Sequence, residues 1–336
     1  MPAISIILPF HSAAATLPTC LASISRQSMA DFELLAIDDG STDESAALLR
    51  ALAARDARVH LLEPGRVGLV AALNLGIGHA RAPLLARMDA DDLMHPQRLA
   101  LQLAYLEANP HVALVASRAA LFPKKLVRAG YQEYLRWQNA CLTPAQVAAQ
   151  IYIESPFAHP SVTLRRSALA AAGGPYAQGP FPEDYELWLR IHQAGMPMAK
   201  LPRTLLAWRE GDGRASRSDP RYSRAAFDAL RARFLADDPR LRQGRDLVYW
   251  GAGRATRLRA KHLIVRGFPP SAWVDIDPDK VGHTVWGAPV RPITWLDRSP
   301  RPFVLIYLTA HGARAYAEGR LAEWGYRPGE DYLAVG

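Results

Sequence analysis

Apolar runs at Ile4 to Pro9, Phe32 to Ile37, Val59 to Leu62 and Pro83 to Met88 alternate with stretches whose apolar residues recur at helical spacing. Leu17, Leu21 and Ile24 mark the first of these helices and Leu49 and Leu52 the second, while Gly68 to Ala80 reads as the third. Short buried strands separated by helices specify an α/β fold, a mostly parallel sheet flanked by helices on both faces. Ser41 with Glu44 reads as a capping box for the second helix.

In such sheets ligands bind outside the carboxyl ends of the strands. Three of the runs stop at Pro9, at Asp38-Asp39-Gly40 and at Asp89-Ala90-Asp91-Asp92, so three polar punctuations converge on one edge. Carboxylates crowded as in the last of these repel one another, and a fold that gathers them commonly offsets the repulsion with a divalent cation. A second acidic pair, Glu183-Asp184, opens a helix through Leu187, Trp188 and Ile191. Carboxylates there cap the helix and meet the positive end of its dipole, so the pair alone requires no further role. Between the two, Phe122 to Gln138 interleaves Lys124, Lys125, Arg128 and Arg136 with Tyr131, Tyr134 and Trp137, which suits either a half-buried helix or an acceptor-binding or membrane-surface element. The segment from Arg209 to Arg224 lacks periodicity and reads as a loop.

The pattern restarts at Leu247, with Val248-Tyr249-Trp250, then Gly251-Ala252-Gly253, a helix through Leu258 and Leu263, a strand ending at Asp275-Ile276-Asp277, and another at Phe303 to Leu308. This is a partial phosphate-loop pattern, with the third glycine replaced around Thr256. A chain of 336 residues exceeds one ordinary core, and the restart predicts two domains, 1–242 and a smaller α/β domain at 243–336.

The formal charge of +8 favours anionic partners such as nucleotide phosphates or acidic lipid headgroups. Cys20 and Cys141 are lone and on apolar stretches, which suggests small buried side chains in a reducing compartment, with neither a disulfide framework nor a metal pair. The opening residues lack the pattern of a secretion signal, and no run reaches the roughly twenty apolar residues of a membrane span. A cytoplasmic protein is expected.

Taken together, these segments resemble the family 2 glycosyltransferases, enzymes of the GT-A fold that move a sugar from a nucleotide diphosphate to an acceptor. Ile4 to Ser12 is similar to the family's first strand and loop, Glu33-Leu34-Leu35-Ala36-Ile37-Asp38-Asp39-Gly40-Ser41-Thr42-Asp43 to its second strand, and Ala71-Ala72-Leu73-Asn74-Leu75-Gly76 to its third helix. Ala86-Arg87-Met88-Asp89-Ala90-Asp91-Asp92 resembles its metal motif, and His159-Pro160-Ser161-Val162 and Glu183-Asp184-Tyr185-Glu186-Leu187-Trp188-Leu189-Arg190 follow in order. The likeness covers residues 3–210 and leaves the second, Rossmann-like domain outside it.

The resemblance implies roles. Asp39, beside Asp38, would accept hydrogen bonds from the base of the nucleotide, with Pro9 at the same edge. Asp89 would meet the ribose or the outer shell of the metal, and Asp91 would bind Mn²⁺ or Mg²⁺. Asp184 would be the catalytic base of an inverting, metal-dependent transfer, with Glu183 orienting the site. Arg209, Arg214 and Arg217 lie where diphosphate-binding residues often occur, and His159 suits either the acceptor side or the core. The partners implied are a nucleotide-diphosphate sugar and a glycan or lipid-linked acceptor, with peripheral membrane contact and without nucleic acid. Two other readings are a sugar-nucleotide-binding protein and a nucleotidyltransferase on a related fold, but the latter begins with a Gly-rich loop where this chain has His11-Ser12-Ala13-Ala14-Ala15. A dinucleotide oxidoreductase built on Gly251-Ala252-Gly253 is a third.

Overall fold

The computed structural model describes residues 1–211, 217, 219–308, 310 and 312–336. Two compact units divide the chain: 1–147, 155–179 and 183–218 form one, and 148–154, 180–182 and 219–336 the other.

Among the described residues the first unit is built on eight strands, β1 (Ile4–Phe10), β2 (Phe32–Asp38), β3 (Val59–Leu62), β4 (Leu84–Arg87), β5 (Leu93–Met94), β6 (Leu114–Phe122), β7 (Thr163–Arg165) and β8 (Met198–Arg209). β1, β2 and β4 are buried at every position, which is why they read as unbroken apolar runs: helices cover both faces of the sheet. The order is β3-β2-β1-β4-β7-β6-β8-β5. The first four strands are mutually parallel, β7 runs against both β4 and β6, and β8 is parallel to β6. This confirms the expected mostly parallel sheet and adds two reversals, β7 and the edge strand β5, which is antiparallel to β8. Because β7 is antiparallel to β4, its beginning lies beside the end of β4, and the Arg87 N–H donates to the Val162 carbonyl (3.0 Å). The turn His159–Ser161, which leads into β7, therefore reaches the same edge as the Asp89 cluster.

The capping box expected of Ser41 and Glu44 does not form. The helix starts at Ser45 without a side-chain bond from its cap, Glu44. The Asp38 carboxylate accepts from the Ser41 N–H (2.8 Å), pulling Ser41 into the preceding turn, and Asp43 instead accepts from the Ser45 N–H (3.0 Å). Gly40 in that turn has φ +69°, and a Cβ there would stand 3.0 Å from the Arg66 main-chain nitrogen.

The helix Leu69–His79 lies on β1 and β2 at Gly76, where a Cβ would come 2.7 Å from Ile37 Cδ1 and 2.9 Å from Ile7 Cγ2. Both partners are fixed in the sheet. Gly76→Ala is therefore expected to destabilise the first unit by about 1–3 kcal/mol, overpacking outweighing the gain in helix propensity; urea unfolding checks this, and an unchanged or higher midpoint would contradict it.

The second unit holds β9 (Leu247–Trp250), β10 (Ala272–Asp275), β11 (Thr284–Val285), β12 (Ala288–Pro292), β13 (Phe303–Ile306) and β14 (Tyr332–Ala334) in the order β11-β12-β10-β9-β13-β14. All neighbours are parallel except the hairpin β11-β12. Val248, Trp250, Val274, Val304, Ile306 and Leu321 form its core. This unit starts before the boundary expected near residue 243. The helix Arg224–Ala236 packs on the helix Arg254–Ile264, and Tyr152 donates to Asp238 (3.0 Å) and accepts from the Gly336 N–H (3.0 Å), drawing both segments into it. Among the described residues no helix is long and apolar enough to cross a membrane.

Candidate active site

Sheet register brings the polar strand ends together. Phe10 pairs with Asp38 on one side of β1, and Ile7 pairs with Arg87 on the other. Asp39 and Asp89 thus flank the end of β1 two strand spacings apart, roughly 10 Å. Pro9 sits between them, paired with Ile37. Asp39 Oδ1 accepts from the N–H groups of Val67 and Gly68 (both 2.7 Å), and Oδ2 pairs with the Arg66 guanidinium (2.8 Å). Those bonds fix the loop that enters the helix Leu69–His79.

Past β4 the chain turns sharply, since the Asp92 N–H donates back to the Asp89 carbonyl (3.3 Å). The turn gathers Asp89, Asp91 and Asp92 so that one oxygen of each lies within 4.8 Å of the others. Asp89 pairs with Arg87. Asp92 is fully buried; its Oδ1 accepts from the Arg209 N–H (2.7 Å), while its Oδ2 has no hydrogen-bond partner among the described residues. Burial pushes the Asp92 carboxyl well up, and the charges of Asp89 and Asp91 push it further. A buried carboxylate oxygen without a donor, beside two more carboxylates, calls for a proton or a cation. Hard oxygen donors in this number fit Mg²⁺ or Mn²⁺.

Arg209 ends β8 at this edge. Its Nε donates to the Asp91 carbonyl (2.7 Å), and its guanidinium stacks 4.5 Å from the Phe122 ring centroid. Arg98, wholly buried, donates to the carbonyls of Arg87 (3.0 Å) and Val162 (3.2 Å), tying the end of β4 to the start of β7. Burial draws its guanidinium down to about 9 although the charge of Asp92 opposes the shift.

Glu183 and Asp184 start the helix Glu183–Gln193, where Asp184 Oδ1 accepts from the Tyr185 N–H (2.7 Å). Glu183 is buried, and Asp184 is half-buried. His159 Nδ1 lies 4.0 Å from Glu183 Oε1, and Nε2 lies 2.7 Å from the Tyr176 hydroxyl. Burial holds His159 neutral, with Arg87 adding to the effect. Burial also pushes the Tyr176 phenol up; Arg87 opposes this, and Asp184, Glu183 and Asp89 reinforce it. One hydroxyl thus feels both acidic groups.

The fold accordingly brings Pro9, Asp38, Asp39, Asp89, Asp91 and Arg209 to one sheet edge of one unit, with His159 in the turn that leads into β7, Glu183 beside His159 and Asp184 next to Glu183 in its helix. Arg217 folds back on Glu210 (2.5 Å), next to Arg209. Arg214 lies outside the described residues. His159 is core-packed, edge-on to Trp188 with ring centroids 5.9 Å apart. Sequence reasoning placed Asp92 in the acidic cluster but gave it no role of its own, because a turn has no periodicity to tell which carboxylate points inward. It missed Arg87, Arg98 and Tyr176. In the phosphate-loop pattern of the second unit the Ala252 N–H donates to Asp275 (2.8 Å), and a Cβ on Gly251, at φ +109°, would stand 2.9 Å from Thr256 Oγ1.

Residues 5–172 match the family model described as glycosyl transferase family 2. The chain is 32% identical over 199 residues to the amylovoran biosynthesis glycosyltransferase AmsE of Erwinia amylovora, covering 58% of this chain and 71% of that protein. It is 30% identical over 227 residues to EpsE of Bacillus subtilis strain 168, covering 66% and 78%. Among solved structures it is similar to S. aureus TarS 1-349 in complex with UDP-GlcNAc, with a TM-score of 0.56 at 14% identity over 80% of this chain and 73% of that one. That likeness concerns the fold, and it agrees with the GT-A-type sheet described above. With the family's motifs in order along one edge and AmsE matched over most of its length, the chain belongs to glycosyltransferase family 2.

Proposed function

We propose that this glycosyltransferase is an inverting, metal-dependent enzyme that moves a sugar from a nucleotide diphosphate to an acceptor hydroxyl during synthesis of a surface polysaccharide or related glycan. The observation that carries the reading is the buried Asp92 Oδ2, without a hydrogen-bond partner among the described residues, inside the Asp89, Asp91 and Asp92 cluster. The names of AmsE and TarS's bound UDP-GlcNAc support a polysaccharide product and a nucleotide-sugar donor.

Asp39 and Asp38 receive the base of the nucleotide at the end of β2, and Asp89 the ribose. Mn²⁺ or Mg²⁺, held by Asp91 and Asp92, would offset the charge left on the departing diphosphate, worth several kcal/mol. Arg209 and Arg217 approach the same diphosphate, which guanidinium groups bind bidentately. Asp184 takes the proton from the acceptor hydroxyl as that oxygen bonds to the anomeric carbon and the carbon–phosphate oxygen bond breaks, so configuration inverts. Glu183, buried against His159, orients the turn that carries Asp184. The second unit is read as Rossmann-like from the order of its parallel strands, β12-β10-β9-β13-β14. Residues 219–336 carry 19 Lys and Arg against 13 Asp and Glu, which suits a cytoplasmic enzyme peripheral to an anionic membrane with a lipid-linked acceptor.

The test is thermal stabilisation by a panel of nucleotide-diphosphate sugars with Mn²⁺. At a hundredfold excess over Kd the correct donor is expected to add about 2.7 kcal/mol of stability, and chelation should abolish the gain. No stabilisation by any donor, or stabilisation indifferent to chelator, would count against the reading.

A further inference from the structure

Tyr176 is held from two directions. Its N–H donates to Asn74 Oδ1 (3.1 Å), and its carbonyl accepts from Asn74 Nδ2 (2.8 Å). Asn74 belongs to the helix Leu69–His79, whose entry at Val67 and Gly68 is bonded to Asp39. From the other direction the Tyr176 hydroxyl meets His159 Nε2 at 2.7 Å, with the ring centroids 5.3 Å apart.

A neutral imidazole carries one N–H, and the bond made by one nitrogen sets the state of the other. If the phenol donates to Nε2, the hydrogen is on Nδ1, the nitrogen that faces Glu183 Oε1 at 4.0 Å. The opposite tautomer turns a lone pair toward that carboxylate, and two acceptors facing each other in a buried site repel. The charge of Glu183 therefore favours the tautomer with the hydrogen on Nδ1, and in it the phenol is the donor to Nε2. The charged groups around this pair are Arg87, Asp89, Glu183 and Asp184.

We propose that Tyr176 is a positioning residue for sugar transfer: its hydroxyl fixes His159 and, through it, the Glu183–Asp184 turn, while Asn74 ties it to the helix entered from Asp39. The proposal deepens the reading above and rests on Asp184 as the base. Tyr176 neither binds the donor nor moves a proton to substrate. Its effect belongs in kcat.

Tyr176→Phe keeps the ring and the Asn74 clamp and removes only the hydroxyl. In the full chain, kcat is expected to fall on the order of 10–100-fold, as for other groups that orient a reacting side chain. Calorimetric donor affinity with Mn²⁺ should stay within about twofold, since the lost contact acts on the transition state alone. Added to Asp184→Asn, Tyr176→Phe should have little further effect, because the group it positions is already disabled. Wild-type kcat in a folded Tyr176→Phe protein, or effects of the two substitutions that multiply in full, would overturn the proposal. Should Tyr176→Phe not fold, Asn74→Ala releases the main chain and retains the hydroxyl: a comparable loss of kcat supports the role, and wild-type kcat rejects it. An Asp184→Asn enzyme with near-normal turnover would remove the base reading and this proposal together, whereas an impaired Asp184→Asn beside a normal Tyr176→Phe would remove this proposal alone.

Discussion

Asp184→Asn is expected to lower kcat for sugar transfer by about 10²–10⁴-fold, the range general-base catalysis supplies, with donor affinity near that of the unaltered enzyme. The substitution isolates chemistry from structure. Asp184 Oδ1 accepts from the Tyr185 N–H at the start of its helix, and the asparagine carbonyl oxygen can accept the same bond. The side chain keeps its size, and what disappears is a group able to take a proton. A sugar hydroxyl is a poor nucleophile while protonated, so the loss falls on the chemical step. Steady-state kinetics beside calorimetry with the same donor separates the two terms, and turnover within a few-fold of the unaltered enzyme would remove Asp184 from the role.

What singled out Asp184 as the candidate base was its place in a sequence of motifs, for the pair Glu183-Asp184 in isolation is an ordinary acidic helix start. The edge formed by Pro9, Asp38 and Asp89 was legible for a different reason. β1, β2 and β4 are buried on both faces, so each is a continuous apolar run, and an abrupt polar stop then marks the carboxyl end of a central strand. Elements defined by tertiary partners were not legible. β5 has two residues and exists because Leu93 and Met94 pair with Ala207 and Leu206. The reversal of β7 comes from its neighbours, and it is what carries His159 to the site. Ser41 has the composition of a cap, yet a bond from its N–H to Asp38 takes it elsewhere. Tyr176 stands in a stretch of Gly and Pro with no periodic signal, and its partners Asn74 and His159 are distant in sequence. The early start of the second unit has the same origin, since the bonds of Tyr152 to Asp238 and Gly336 leave no local trace.

Asp91→Ala is expected to act with opposite sign on the free and the loaded enzyme. Asp89, Asp91 and Asp92 approach within 4.8 Å, and the charge of Asp91 contributes to holding the buried Asp92 carboxyl above its ordinary range. Removing Asp91 relieves that repulsion, so the thermal midpoint of the protein without metal or donor should stay level or rise. Removing a ligand from the cluster should also weaken Mn²⁺-dependent donor binding, on the order of 100-fold or more, because fewer oxygens remain to hold the ion beneath the diphosphate. A site arranged this way costs stability while empty and returns it when filled, as expected where function and not folding has gathered the charges. Calorimetry with Mn²⁺ present and melting curves with and without donor read the two effects separately. Unchanged donor affinity would take Asp91 out of the metal site, whereas a large fall in the midpoint of the free protein would mean that its carboxylate serves the fold.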